Sequence, residues 1–234
     1  MLKNVIDRSS VIKKVAIATC CDDFGELLKH LLVSWGFEIC DSSTPEVLLL
    51  AEDGCAEPAD GQPVVWLTRS RYQGTDRLSL PFQIESFWQV LEHRYHRPPR
   101  MHIRMAVDLE ATVMVDAETV TVRLSSLSDM GCRFSYYREL VRDQQAWLSL
   151  SLAGEEFRID SSVIYSHYLT AASDNEIRVG LLFRGITREQ RDHLRSCLIL
   201  QYLQKIGQEM DPARFRKALV NLDMGEFVRN RLGV

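Results

Sequence analysis

Four arginines, Arg94, Arg97, Arg100 and Arg104, follow one another with no acidic residue between them. Downstream stands Ser126-Leu-Ser128-Asp-Met-Gly131, two hydroxyls followed by a glycine. A guanidinium is planar and always charged. It can grip a phosphate, or the O6/N7 edge of a guanine, through paired hydrogen bonds, and it can stack on a flat ring. Hydroxyls at Ser126 and Ser128 can hydrogen-bond such a ligand. Gly131, having no Cβ, lets backbone come close to it. Together these residues suit local recognition of an anion. Each also has a plainer reading: an arginine run is usually a solvated charged stretch, and serines ahead of a glycine form a polar turn.

The rest of the chain narrows the choice. Lys and Arg total 28 against 32 Asp and Glu, a net charge of −4. Bulk nucleic-acid binding needs many cations to replace phosphate counterions, so it is not expected. No GxxxxGK[ST], GxSxG or HExxH motif occurs. The expectation is therefore a binding protein rather than an enzyme, with no cofactor and no metal. The six cysteines, Cys20, Cys21, Cys40, Cys55, Cys132 and Cys197, form no CxxC pair and match no zinc module. They read as reduced, buried thiols. No apolar run reaches membrane-span length, and Met1–Lys14 lacks an apolar stretch of signal-peptide length. A cytoplasmic protein with no membrane insertion is the expectation.

Two kinds of pattern position these residues. Up to residue 93, strands alternate with helices: strands at 14–19, 37–40, 47–50, 63–68 and 77–80, helices from a side-chain cap at Asp22 or Asp23 to Gly36 and over 84–92. Leu27, Leu28, Leu31, Leu32 and Trp35 recur at helical spacing. Such alternation argues for a parallel α/β sheet. After residue 104 the period becomes two. Val120, Val122 and Leu124 alternate with Thr121, Arg123 and Ser125, and Leu148, Leu150 and Leu152 with Ser149 and Ser151. Short strands at regular spacing suggest a small antiparallel barrel. Thr187 and Gln190 read as a capping box opening a helix to about 207. Asp211-Pro212 opens another, read as running to 232.

The first half resembles a response-regulator receiver, on the stretches ELLKHLLVSWGFEI, PEVLLLA, PVVWLT and LPF. That resemblance would put the Mg²⁺-holding acids at Thr19 and Cys20, the phosphoryl-accepting carboxylate at Ala51 and the lysine at Leu80. Of the functional set only Thr68 is retained, and one helix between the second and fourth strands is expected to be missing or reduced. The second half resembles the PilZ family, on the RxxxR of Arg100 and Arg104, on Ser126-x-Ser128-x-x-Gly131 in the place of the family's (D/N)xSxxG, and on Val179–Phe183 with its trailing helix. Here Ser126 stands where the family has Asp or Asn.

The resemblance implies an α/β plus all-β chain: a degenerate receiver-like domain at 1–93, a six-stranded PilZ β-barrel at 94–207 with a ligand-clamping linker at 94–104, and a C-terminal helical extension at 208–234. It implies a receptor for cyclic di-GMP held by Arg97, Arg100, Arg104, Ser126, Ser128 and Gly131. Such a receptor would change its interdomain arrangement on binding and act through an unidentified protein partner in motility, attachment or biofilm formation. The alternative is a PilZ-fold interaction protein of a pilus or motility assembly that binds no nucleotide. Extra apolar helix faces near the C-terminus leave a homodimer open. Without carboxylates at the receiver positions, acetyl phosphate with Mg²⁺ is expected to leave the intact mass unchanged; a phosphoadduct would overturn this reading.

Overall fold

The computed structural model describes residues 13–41, 46–70, 76–96, 99–168 and 177–234. They form two compact units: residues up to 99 together with 206–223, and residues 100–205 together with 224–234.

In the first unit the chain runs β1 (Lys13–Ala18), α1 (Asp22–Ser34), β2 (Phe37–Ile39), β3 (Leu48–Glu52), β4 (Val64–Thr68), β5 (Arg77–Ser79) and α2 (Ile84–Tyr95). The strands make a parallel sheet in the order β2-β1-β3-β4-β5. This is the flavodoxin-like order, whose strand direction of growth reverses between β1 and β3. β3 is buried along its whole length, as its unbroken apolar run requires of a strand covered on both faces. α1 buries Phe24, Leu27, Leu28, Leu31 and Leu32 completely, the stripe expected from i, i+3, i+4 spacing. It stops where Gly36 takes φ +80°, a left-handed conformation that glycine adopts without steric cost. Trp35 packs against Phe87 and Trp88, with ring centroids 5.5 and 5.1 Å away.

Two expectations need correction. The α1 N-cap is Cys21, and no side chain caps it. Asp22 and Asp23 sit in the first turn, where they favour the helix dipole. Among the described residues no helix lies between β2 and β4, where a single helix is expected to be missing or reduced. Finally, the helix read over 212–232 is two. α4 (Pro212–Leu219) begins at Asp211, whose carboxylate accepts from the Ala213 and Arg214 N–H groups at 3.0 Å. It ends where residues 220–225 turn away, and Phe82 N–H bonds Asn221 O while Asp223 N–H bonds Phe82 O. α5 (Glu226–Leu232) starts after Gly225. The exchange of backbone bonds with Phe82 replaces the helical bonds that a continuous helix would have made.

α4 packs on α1, tied by charge. Arg214 Nε lies 2.6 Å and Lys217 Nζ 2.9 Å from the buried Asp23 carboxylate, and Arg214 Nη2 is 2.7 Å from Glu26.

The second unit is a closed barrel, β10-β11-β8-β7-β6-β9. Its strands are β6 (Arg104–Val115), β7 (Glu118–Ser128), β8 (Gly131–Tyr136), β9 (Gln145–Leu152), β10 (Glu155–Tyr168) and β11 (Ile177–Phe183). Closure leaves no strand edge unpaired. Leu124, Leu127, Phe134, Leu148, Val163 and Val179, each 1% exposed or less, fill it. The β6–β7 hairpin turns on Asp116 and Ala117, both at positive φ (52° and 65°), the twist-compatible geometry of a two-residue loop. α3 (Arg188–Glu209) opens with the expected capping box: Gln190 N–H donates to Thr187 Oγ1 at 3.1 Å, and Thr187 N–H to Gln190 Oε1 at 3.0 Å.

The hydrogen bonds from Arg214 and then Lys217 hold the Asp23 pKa below the ordinary carboxylate value. A folded-state pKa lowered this way contributes stability above the unfolded Asp value of about 3.9, and the contribution is lost as pH falls through the folded value. Thermal melts should therefore find Asp23→Asn less stable than wild type at neutral pH, with the gap closing in acid below about pH 4. An unchanged gap would exclude this coupling.

Candidate ligand-binding face

The residues singled out around the SxxG run come together through strand register. Arg104 pairs with Ser128, Ser128 with Gly131, Gly131 with Leu182, and Leu182 with Ser162. The next rung runs Ala106, Ser126, Arg133, Gly180 and Tyr165. Paired residues on neighbouring strands share a face, so two adjacent rungs across five strands carry Arg104, Ser126, Ser128, Gly131, Arg133, Gly180 and Tyr165 on one side of the barrel. Leu127 and Cys132, between the rungs, are buried on the other side. The β7 register shifts between Leu124 and Ser126. This bulge re-phases the alternation, which is how Ser126 and Ser128 come to share the face with Arg104.

Arg104 is exposed and Arg100 half-buried. Arg97 lies outside the described residues. Arg104's pKa is lowered first by desolvation and further by the charges of Arg100 and Arg133, with Tyr165 acting in the opposite sense. The charges of Arg100 and Arg133 act on Arg104 in the sense expected of like charges, and an anion bound nearby would act against them. Burial pushes the neighbouring Cys132 thiol up to about 12, which keeps it neutral. Arg94 does not join them. It pairs with Asp76 in the first unit, so the cationic run read from the sequence is shorter than four.

The other residues have structural partners. Ser128 Oγ donates to Gly131 O at 3.1 Å and accepts from Met130 N–H at 3.3 Å, closing the β7–β8 turn. Its proton is thus used within the turn, leaving the oxygen to accept. A Cβ on Gly131 would lie 2.2 Å from Leu181 O. The glycine admits the neighbouring strand's backbone, whatever it does for a ligand. Ser126 is 3% exposed. Neither neighbour supplies the acid absent at 126. Ser125 Oγ is bound to Arg133 Nε at 3.3 Å. Asp129 is 1% exposed and is clasped by Arg195 through Nε at 3.0 Å and Nη2, and by His102 Nδ1 at 3.0 Å. His102 stands between the two arginines of RxxxR, so Asp129 anchors that segment to the turn and to α3.

Sequence reading missed Arg133, Tyr165 and the Asp129 clasp. Arg133 and Tyr165 are ordinary strand residues until register places them. Gly180 did stand in the stretch compared with the family, but its reason is new: a Cβ there would meet the Tyr165 ring at 2.4 Å. A separate cavity of about 470 Å³, lined in part by Trp147, Phe157, Arg158, Arg184 and His193, includes none of the rung residues.

The PilZ domain family matches residues 96–200. No curated protein matches the chain. Among solved structures, the Bacillus subtilis inhibitor of motility (MotI/DgrA) is 14% identical with TM-score 0.40, over 45% of this chain and 52% of that one. The K. pneumonia MrkH–c-di-GMP complex is 18% identical with TM-score 0.39, over 47% of this chain and 55% of that one. The PilZ domain of Escherichia coli YcgR with c-di-GMP is 13% identical with TM-score 0.38, over 47% of this chain and 95% of that one. The chain therefore spans about half the length of MotI/DgrA and of MrkH.

Because Leu181 O is backbone and cannot swing aside, Gly131→Ala is expected to destabilise the barrel by about 1–3 kcal/mol or more, read by denaturant unfolding without any ligand. Wild-type stability in that variant would show that the close approach is not needed.

Proposed function

Since residues 96–200 form a PilZ domain, we propose that the chain is a cyclic di-GMP receptor that uses the two-rung face. The observation that carries this reading is the strand register that sets Arg104 and Arg133 on neighbouring rungs of one face beside the Ser126–Gly131 turn. The ligand has two phosphates and two guanines. Arg104, fixed in the ladder, meets a phosphate or a guanine edge bidentately. Arg100, four residues earlier on the lead-in, folds over from outside with Arg97, and Arg133 supplies charge from the opposite rung. Tyr165, half-buried beside Gly180, offers an aromatic surface for a base. Ser126, Ser128 and Gly131 form the floor, with Ser128 accepting through its free lone pair.

The lead-in that carries the clamp also joins the two units. Ordering it on the ligand biases their arrangement, provided the ligand binds one arrangement more tightly than the other. The output is contact with a protein partner, in motility, attachment or biofilm control; the chain binds and does not catalyse. No helix among the described residues is long and apolar enough to cross a membrane.

One observation favours a second reading. Ser126 replaces the family's Asp or Asn, and the two side chains able to stand in for it, Ser125 and Asp129, are engaged elsewhere. On that reading the barrel is an interaction module without nucleotide. Titration calorimetry decides. Binding of cyclic di-GMP at micromolar or tighter affinity, weakened about 5- to 150-fold by Arg104→Ala as expected for loss of a bidentate contact, supports the receptor. Absence of heat at high ligand concentration selects the interaction module.

A further inference from the structure

In α/β sheets of this order, ligands bind outside the carboxyl ends of the strands, where the strand order reverses. Here that point lies between β1 and β3. Beyond the end of β1 stands Cys20, exposed; at the end of β3 stands Glu52, buried; and Cys55 follows in the next turn, its N–H bonded to Glu52 O at 3.0 Å. The expectation of six separate thiols fails at this place. Cys20 and Cys55 are joined as a disulfide with Cα atoms 5.5 Å apart, while Cys21, Cys40, Cys132 and Cys197 remain thiols.

A disulfide needs only two cysteines. This site adds a third donor: both sulfurs and a Glu52 carboxylate oxygen lie within 4.8 Å of one another. The carboxylate is already oriented. Glu52 Oε2 accepts from Cys20 N–H at 3.1 Å, and Oε1 is 3.6 Å from Arg69 Nη2. Two thiolates and a carboxylate are a soft-to-borderline donor set that selects Zn²⁺ over Mg²⁺ or Ca²⁺. Zn–S bonds of about 2.3 Å at tetrahedral angles put ligand atoms about 3.8 Å apart; the two sulfurs, bonded to each other here, part to that separation on reduction, inside the 4.8 Å that spans the three donors. Three protein ligands leave the fourth position open, on the side where Cys20 is exposed. The Arg69 side chain, 68% exposed, also donates to Asn221 Oδ1 at 3.1 Å and keeps that partner when a cation replaces it at Glu52.

We propose that Cys20, Cys55 and Glu52 form a redox-gated zinc site at the switch point of the first unit. In the dithiol state both thiols lose their protons to solvent and bind Zn²⁺ with Glu52. An oxidised low-molecular-weight thiol opens the site. The Cys20 thiolate attacks one sulfur of that disulfide and expels one small thiolate. The Cys55 thiolate then attacks the mixed disulfide at Cys20 Sγ, forms the Cys20–Cys55 bond and expels the second. The pair loses two electrons, the small disulfide gains them, and Zn²⁺ leaves because its two sulfur ligands are now bonded to each other.

The test uses the full chain, reduced with a phosphine and titrated with Zn²⁺ against a chromophoric chelator. One tightly held Zn²⁺ per chain is expected, lost in Cys20→Ser and in Cys55→Ser and kept in Cys21→Ser. Glu52→Gln should weaken it and Arg69→Ala strengthen it. Co²⁺ in place of Zn²⁺ should give a thiolate charge-transfer band, and glutathione disulfide should release the metal as the chain loses two hydrogens by intact mass. In wild type, where folding is not in question, Zn²⁺ should slow iodoacetamide labelling of Cys20 and Cys55 but not of Cys21. No zinc held by the reduced chain, zinc held without a thiolate band, or equal protection of Cys21 would each overturn the site.

Discussion

The β7–β8 turn closes because residue 131 has no Cβ. Leu181 O occupies the space that any other side chain would start from, and β8 can therefore begin directly against β11. That close approach fixes the register. Gly131 is held opposite Ser128 on one side and Leu182 on the other, and Ser128 is held opposite Arg104. The turn's own hydroxyl, from Ser128, then satisfies backbone groups that the tight reversal would leave bare. Without the glycine the rungs would slip, and a shift of one residue exchanges the inside and outside of a strand. The arginine cluster depends on this steric allowance more than on any attraction between its members, since its members repel.

The buried Asp129 is engaged by other partners. Its carboxylate takes two bonds from Arg195 and one contact from His102, so the negative charge holds the lead-in and α3 against the turn. A cationic surface is thereby preserved close to a buried acid. Buried charges survive only when paired, and the pairing here also sets the direction from which the lead-in enters β6.

Much of this could be read from residue order, and the failures have identifiable causes. Period-two stretches in 118–152, the capping box at Thr187, the Asp211-Pro212 start and the Gly36 stop are local signals, and local signals survive in the fold. Arg100, Arg104, Ser126, Ser128 and Gly131 were likewise visible as motif positions. Arg133 and Tyr165 were not, because they reach the face only through pairing with Ser126 and Gly180 across a ladder that a bulge has shifted. The disulfide was invisible because 35 residues separate its cysteines and no spacing rule links them. The break after Leu219 was invisible because its cause is Phe82, far upstream.

The first unit is discontinuous in the chain: its sheet comes from the early residues, but residues 206–223, including the helix packed on α1, come after the whole barrel. A ribosome therefore releases the sheet and α1 long before their last partner has been made. During that interval the face of α1 that receives α4 has only water, or a chaperone, against it. The six strands of the barrel lie in one uninterrupted stretch, yet its unit too is completed by late residues, 224–234. Vectorial synthesis thus leaves each unit waiting for a piece of the C-terminal segment, and a chain cut short before residue 206 would lack the last part of both.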